Sequence, residues 1–339
     1  MGATASAFAG EAANPRAALR VLLVIPAGEP GDGHSMIFAR REAVRARGVE
    51  VHEFFLASRT RLRGLAREWR RFRGELRAVS PDLVHAHFGT VTAMFAALGA
   101  GGLPLVITYR GSDLNPSPGD SRGRTFAARA LSQMAALRAR RIVCVSAGLR
   151  ERLWWRRSRV TVVPTGVPAD EFRARPRDMA RRKLGWREET PVVLFHGGRD
   201  ARIKRLDLAL AAMAVAGRAL TDVRLEVLDG SVAPEAVPAY MNAADCLLVT
   251  SDFEGSPAVV QEALASSLPI VSVDVGDVRE RIYRVSNTRL VERDPEAIGR
   301  ALVEMVRVPL RTDGSRKMSE CRMDAVAVRV HQVYLESLR

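Results

Sequence analysis

Short apolar runs alternate with helix-like segments along the chain, and this alternation constrains the fold more than any other feature of the sequence. The runs in the first half are of buried-strand type: Val21–Ile25, Val49–Leu56, Leu83–His87, Leu105–Tyr109, Ile142–Val145 and Val160–Val163. The pattern begins again at Val192. Strands that alternate with helices predict parallel, doubly wound sheets, so we expect an α/β protein with one such sheet in each half.

The length of the chain fits two domains better than one. Its 339 residues divide into two units of ordinary size, and a hydrophobic content of 47% suffices for two cores. The segment Pro164–Pro168 contains two prolines and a glycine, which is typical of a linker. We therefore predict a disordered segment at 1–18, Rossmann-like domains at 19–165 and 166–315, and a final helix at 316–339. A ligand is expected between the domains, at the carboxyl ends of both sheets.

One predicted strand-to-helix junction in the second half carries two carboxylates. After the apolar run Leu247–Val249, Ser256 suits a helix N-cap and Pro257 suits the first helical position. A helix that begins there offers its amino end to an anion such as a diphosphate. Glu254 precedes the helix and Glu262 lies within it, at about the distance of a ribose from that diphosphate. The alternative is that both glutamates are solvated surface charges.

A basic loop follows the strand predicted to start at Val192. Gly197 and Gly198 form a turn where backbone can approach a ligand, and Arg199 and Lys204 lead into an Ala/Leu-rich helix. A guanidinium fork and an ammonium group can together neutralise a phosphate. Taken alone, such a loop is more often solvated than catalytic.

These two elements, in this order, resemble the retaining nucleotide-sugar glycosyltransferases of family four, which have the GT-B fold. The E-x7-E motif of that family falls on Glu254 and Glu262, and its Gly-Arg-x4-Lys element falls on Arg199 and Lys204. The likeness continues through residues 240–245 and 268–278, which look like the subgroup that builds bacterial surface polysaccharides of the teichuronic-acid type. The resemblance implies a hexosyltransferase that needs no metal or other cofactor, and a final helix that returns to the first domain.

The resemblance also assigns roles to residues. It implies that Arg199 and Lys204 hold the donor diphosphate, that Glu254 contacts the donor sugar, and that Glu262 binds the ribose. Arg199, Lys204 and Glu254 are therefore the catalytic candidates. The donor-binding candidates are Gly198, Arg199, Lys204, Glu254, Gly255, Ser256, Pro257 and Glu262.

The acceptor-side candidates lie in the first half. Gly31 and Gly33 belong to a loop after the first strand that borders acceptor and diphosphate in the family, and His87 ends the third strand. Arg110 stands where many relatives carry histidine, with Asp113 close behind it. If Arg110 faces the site, it supplies a fixed charge in place of a titrating group. The alternative is a structural pair between Arg110 and Asp113.

Two further patterns bear on the fold and on metal binding. Between Gly230 and Tyr240 a helix and a strand usual in the family are missing or compressed, so we expect that the second sheet can lack an element there. His85 and His87, two apart on one strand, point the same way. Since no third ligand lies near them in sequence, we expect them to line the cleft and to bind no metal.

The net positive charge of the chain comes from its first half. Residues 1–165 hold 26 Lys and Arg against 12 Asp and Glu, whereas residues 166–339 hold 26 of each, so the net charge of +14 belongs to the first half. The helix predicted within Ser58–Ser80 has an apolar stripe that we expect to pack on its own sheet. Trp154 and Trp155 lie among arginines, which predicts docking on anionic lipid to reach a lipid-linked acceptor.

Cysteine usage and hydropathy favour a cytoplasmic protein at the inner face of the membrane. The three cysteines have neither disulfide nor metal spacing, and Met1–Ala18 is too weakly apolar for a signal sequence. Two rival functions stay open. One is a sugar-nucleotide epimerase of the same fold, and the other is a basic nucleic-acid-binding protein, for which no motif is present.

Overall fold

The computed structural model describes residues 18–26, 35–58, 61–116, 121–198, 201–308 and 310–339. Within these ranges eleven strands form two parallel sheets. The strands are β1 Leu19–Ile25, β2 Val49–Phe55, β3 Leu83–His87, β4 Leu105–Tyr109, β5 Arg141–Cys144, β6 Val160–Val162, β7 Val192–His196, β8 Arg224–Leu228, β9 Cys246–Val249, β10 Ile270–Val273 and β11 Thr288–Val291. Every apolar run predicted as a strand in the first half is one; β3 and β4 have the predicted ends, and the ends of the others are shifted by at most two residues.

Helices connect the strands and cover the sheets. They are α1 Ser35–Arg45, α2 Leu62–Val79, α3 Thr90–Gly99, α4 Arg122–Arg138, α5 Ala147–Glu151, α6 Arg177–Leu184, α7 Ala201–Lys204, α8 Leu206–Ala216, α9 Val237–Ala243, α10 Ala258–Ala265, α11 Val278–Ile282, α12 Pro295–Arg307 and α13 Met323–Ser337. Most of the segment predicted to be disordered, residues 1–17, lies outside the described residues.

Both sheets are doubly wound. The strand order is β2-β1-β3-β4-β5-β6 in the first sheet and β11-β10-β9-β7-β8 in the second. In each sheet the order reverses beside the first strand, and ligands bind at the carboxyl ends of the strands around such a reversal. As far as the chain is described, the second sheet has five strands against six in the first, which fits the element predicted to be missing before Tyr240.

The apolar stripe of α2 packs on the first sheet, as predicted. Phe72 is fully buried, and its ring lies 5.1 Å from that of Phe54 and 5.4 Å from that of Phe95. Trp69 meets the same Phe95 edge-on, although 37% of Trp69 stays exposed. The stripe is therefore core, and the arginines around it face solvent.

The last helix returns to the first half, as the resemblance implied. Val326, Val330, Val333 and Tyr334 of α13 are buried against the face of the first sheet that carries Val21. The chain enters α13 beside the linker, where Val167 and Arg322 form a parallel bridge. One short segment thus holds both crossings between the halves.

A buried arginine secures the chain before β7. Arg181 on α6 is fully buried, and its guanidinium donates to Asp245 at 2.7 Å and to the carbonyl oxygens of Ala243 and Thr190. Asp245 also pairs with Arg177 at 2.7 Å. Because Asp245 stands at the start of β9, these bonds fix α6 to the amino end of the second sheet.

Candidate active site

The basic loop and the two-carboxylate junction meet at one ion pair. Lys204, the last residue of α7, places its Nζ 2.5 Å from Oε1 of Glu254. Backbone contacts hold the two segments together, since Thr250 Oγ1 donates to the Lys204 carbonyl at 2.7 Å and the Asp252 N–H donates to the Ile203 carbonyl at 3.0 Å. The pair is therefore placed by both segments. Arg199, predicted to act beside Lys204, lies outside the described residues.

Two glycines keep the space around this ion pair open. Gly198 has a positive φ of +57°, and a Cβ added there would lie 3.8 Å from Cε of Lys204. A Cβ added to Gly276, in the loop after β10, would lie 3.0 Å from Cβ of Glu254. Larger side chains at either position would crowd the Lys204–Glu254 pair, so the local sequence leaves room for a ligand.

His196, which sequence reasoning missed, ends β7 beneath the pair. Burial lowers the pKa of its imidazole, and the neighbouring charge of Lys204 lowers that pKa further. The His196 ring is therefore neutral at pH 7 and adds a dipole, but no positive charge, to the surroundings of the ion pair. Its position directly before the Gly197-Gly198 turn was the available signal.

The helix after Glu254 starts later than predicted. It spans Ala258–Ala265 with Pro257 at the N-cap, so the assignment of Ser256 as N-cap was wrong. The Ser256 hydroxyl instead donates to Oδ2 of Asp277 at 2.8 Å and accepts from Nε2 of Gln261 at 2.8 Å. No side chain of the described structure caps α10. In its first turn the Val260 N–H donates to the Pro257 carbonyl at 3.1 Å, which leaves the N–H groups of Ala258 and Val259 for an anion.

Glu262 lies within α10, on the chain segment that follows the ion pair. It is partly buried, and burial raises the pKa of its carboxyl to about 7. Its carboxyl group forms no ion pair or hydrogen bond with the part of the chain that is described. Its carboxyl oxygens can therefore accept hydrogen bonds from a ligand hydroxyl.

The loop after β4 brings the first half directly against this junction. Asn115 Nδ2 donates to the Glu254 carbonyl at 3.1 Å. Gly111 has φ of +142°, and a Cβ there would lie 2.8 Å from the Gly255 nitrogen. The main chain of Arg110 touches Gly255 from the same side. Asn115 carries no motif in the sequence, and its role is visible only in the folded chain.

Asp113 organises that loop through its carboxylate. It is buried, and its oxygens accept the backbone N–H groups of Gly89, Arg110 and Gly111, each at 3.0 Å. Burial raises the pKa of this carboxyl, and the three hydrogen bonds oppose that shift. Arg110 and Asp113 are thus linked through the backbone of Arg110, and the arginine side chain extends elsewhere.

The two histidines of β3 point the same way, as predicted, with ring centroids 4.3 Å apart. His85 does not line the cleft, because it is fully buried and both ring nitrogens are engaged, by Tyr334 at 2.8 Å and by Thr108 at 2.7 Å. Burial, then the charges of Arg40 and Arg110, lower the pKa of His85 to about 3. His87, the acceptor-side candidate, is also buried. Gly31 and Gly33 lie outside the described residues.

A surface pocket of 390 Å³ lies away from the ion pair, at the carboxyl ends of β10 and β11. It includes none of the predicted site residues. Its arginines already have partners, since Arg279 pairs with Asp274 and Arg293 pairs with Asp252.

Comparison with known families agrees with this geometry. Residues 15–171 match the family described as Glycosyltransferase Family 4, and residues 223–307 match the one described as Glycosyl transferases group 1. The chain therefore resembles glycosyltransferases of the family 4 type. One curated relative is a Bacillus subtilis protein described as a teichuronic acid biosynthesis glycosyltransferase, TuaC. It is 26% identical over 245 residues, which cover 67% of this chain and 61% of the relative.

Comparison with solved structures shows that the chain has the GT-B fold. The sucrose-phosphate synthase of Thermosynechococcus elongatus superposes with a TM-score of 0.77 at 18% identity, covering 94% of this chain and 98% of the other. HepE of Anabaena, solved in complex with UDP, gives a TM-score of 0.71 at 15% identity, covering 94% and 100%. The predicted pair of Rossmann-like units with a returning helix is thereby confirmed.

Two further findings concern the length of the match and the helices of the chain. The matching segment spans about three fifths of the length of the TuaC relative. Among the helices of the described residues, none combines the length and the apolar character needed to cross a bilayer.

Proposed function

We propose that the chain transfers a hexose-type sugar from a nucleoside diphosphate sugar to a glycan acceptor, with retention of anomeric configuration, in the synthesis of a surface polysaccharide. The observation that carries this proposal is the Lys204–Glu254 ion pair beside the uncapped amino end of α10. A cation, a carboxylate and free backbone N–H groups at one place suit a ligand that combines a diphosphate with hydroxyl groups.

In the proposed mechanism, the anomeric carbon exchanges its bond to the β-phosphate oxygen for a bond to an acceptor hydroxyl, whose proton leaves with the diphosphate. Negative charge grows on the β-phosphate as the first bond breaks. Lys204 leaves Glu254 to contact that phosphate, together with Arg199 and the N–H groups of α10. Once Lys204 has moved to the phosphate, these cations and backbone dipoles stabilise the leaving diphosphate more than the intact donor, without a metal ion. Glu254 is then free to accept hydrogen bonds from the donor sugar. Glu262 accepts hydrogen bonds from the ribose.

A nucleotide screen tests the donor assignment. UDP, GDP, dTDP and ADP, each with and without a sugar, are added to the protein, and the melting temperature is followed. We expect one diphosphate to raise the melting temperature of the wild type, and to have far less effect on Lys204→Ala. If none of the four raises it, the proposed donor site is wrong.

Product analysis separates sugar transfer from the rival functions. With the selected donor and no acceptor, we expect at most slow hydrolysis. Conversion of the donor sugar into its epimer would indicate an epimerase and would overturn the transferase proposal. Salt-dependent binding of random duplex DNA, without binding of any nucleotide, would favour the nucleic-acid-binding alternative.

We place the acceptor at a membrane because of an exposed aromatic and basic surface on the first half, the Trp154 patch. Phe126 and Trp154 are 64% and 43% exposed with rings 6.3 Å apart, and Arg129 lies 5.5 Å from the Trp154 ring. The remaining members of the patch are Met134, Leu137, Arg152, Arg156 and Arg157. Aromatic rings among arginines suit the headgroup region of an anionic bilayer. Such docking would place the protein at the cytoplasmic face of the membrane.

Liposome flotation tests this surface. We expect the wild type to float with vesicles of phosphatidylglycerol and phosphatidylcholine, and to stay behind with phosphatidylcholine alone. The double variant Phe126→Ser/Trp154→Ser should lose flotation, whereas Tyr283→Ser, at an exposed aromatic residue of the second half, should keep it. Equal behaviour with both vesicle types would argue for an acceptor in solution.

A further inference from the structure

Arg40 and Arg110, both in the first half, each have a buried guanidinium nitrogen without an acceptor among the described residues. Arg40 on α1 is 2% exposed, and its Nη2 donates to the carbonyl oxygens of Pro164 and Thr165, each at 2.7 Å. Its Nε and Nη1 are also buried, and neither has a hydrogen-bond partner in the described structure. An arginine needed only to hold the linker would require Nη2 alone.

Arg110 supplies the second group, directly after β4. Its Nη1 is buried and, among the described residues, has no hydrogen-bond partner, while its guanidinium lies 5.8 Å from the Phe88 ring. Burial lowers the pKa of Arg110 to about 10. Burial and then the charge of Arg110 lower the pKa of Arg40 to about 9. The two cations are thus near enough to repel each other, and both stay charged at pH 7.

The surrounding groups do not balance these charges. Asp113 is the carboxylate that acts on Arg110, and its oxygens are engaged by three backbone N–H groups. His85 is neutral and bonded to Thr108 and Tyr334. Buried charges that lack partners are costly, so two neighbouring ones indicate that a third group completes the site. An arginine fork matches the oxygens of a carboxylate or a phosphate.

We infer that Arg40 and Arg110 form a subsite for an anionic group, a carboxylate or a phosphate monoester, carried by one of the sugar substrates. This inference rests on the proposed sugar transfer. The backbone of Arg110 lies against Gly255, and Arg40 holds Thr165, whose hydroxyl donates to the Ser256 carbonyl at 3.3 Å. We therefore place the anion next to this junction and the donor sugar. Arg110 is partly exposed, which leaves its side chain accessible to a substrate that enters between the halves.

Matched pairs of probes test the subsite by isothermal titration. UDP-glucuronate and UDP-glucose differ by one carboxylate and probe the donor. Glucose 6-phosphate and glucose, titrated into protein saturated with UDP, probe the acceptor. If the nucleotide screen selects another base, the corresponding nucleotides replace those of uridine. We expect the anionic member of one pair to bind about 10- to 100-fold more tightly, as charge-assisted hydrogen bonds would produce.

Variants separate this subsite from general positive charge. Arg110→Gln should abolish the preference for the anionic probe, Arg110→Lys should keep part of it, and Arg77→Gln, at an exposed arginine of α2, should leave it unchanged. Equal binding within both pairs in the wild type would overturn the inference while the proposed donor site stands. A preference that survives in Arg110→Gln would also overturn it. If no nucleoside diphosphate binds at all, the proposed function fails and this inference fails with it.

Discussion

Gly255 of the second half lies directly against the carbonyl oxygen of Arg110 in the first half. A Cβ built on Gly255 would come within 1.9 Å of that oxygen, a distance that no side chain can occupy. This contact between the halves therefore requires glycine at position 255. The backbone of Gly255 is not in the left-handed region that usually selects glycine, so the close approach alone is the reason. The halves meet backbone to backbone beside Glu254.

We expect Gly255→Ala to separate the halves at this point and to reduce turnover about 100-fold, as misplacement of a reacting group by about 1 Å can do. Turnover and small-angle scattering should both change. Gly74→Ala is the matched control, because a Cβ there meets nothing within 4 Å. It should keep full turnover and gain about 0.5–1 kcal/mol of stability, as an exposed helical glycine replaced by alanine usually does. Full activity in Gly255→Ala would contradict the need for this close contact.

Lys204→Ala should lower turnover by about 10²- to 10³-fold, because one cation that stabilises the leaving diphosphate is lost. Lys204 is partly exposed, so the melting temperature should change little. Steady-state kinetics with the donor chosen by the nucleotide screen measure the effect. Lys183→Ala, at an exposed lysine of α6, serves as control and should match the wild type. Equal turnover in the two variants would remove Lys204 from the mechanism.

Glu262 should make stability fall as the pH rises from about 4.5 to about 7. Its pKa is about 7 in the folded chain against an ordinary value of 4.5, so in this window the folded state holds a proton that the unfolded state releases. Glu262→Gln should remove this dependence, a difference of about 1–3 kcal/mol between pH 4 and pH 8. Urea denaturation at several pH values measures it. Glu189→Gln, at an exposed glutamate, should retain the wild-type profile.

Arg181→Met should destabilise the second half by about 3–5 kcal/mol, since it leaves Asp245 buried with one partner fewer and several carbonyl oxygens without donors. Chemical denaturation followed by circular dichroism measures the loss. Arg182→Met removes a neighbouring arginine whose pair with Asp178 is exposed. That control should change stability by less than about 0.5 kcal/mol. Similar losses in the two variants would show that burial of Arg181 does not determine its contribution.

The sequence predicted the strands of the first half and the pairing of the basic loop with the carboxylate junction, because both follow from local periodicity and from motifs within short segments. Ser256 was misassigned because its partner, Asp277, lies 21 residues away and reaches it only in the folded chain. Arg40 was not predicted at all. It stands in an ordinary helical pattern, and its bonds go to residues 124 and 125 positions further along.

The parallel bridge between Val167 and Arg322 constrains how the molecule can move. Both connections between the halves pass through this bridge, where the Val167 N–H also donates to the Cys321 carbonyl. The two connecting segments are therefore held side by side. We expect any movement of the halves to be a rotation about this double crossing, with the largest displacement at the rim farthest from it and almost none at the bridge.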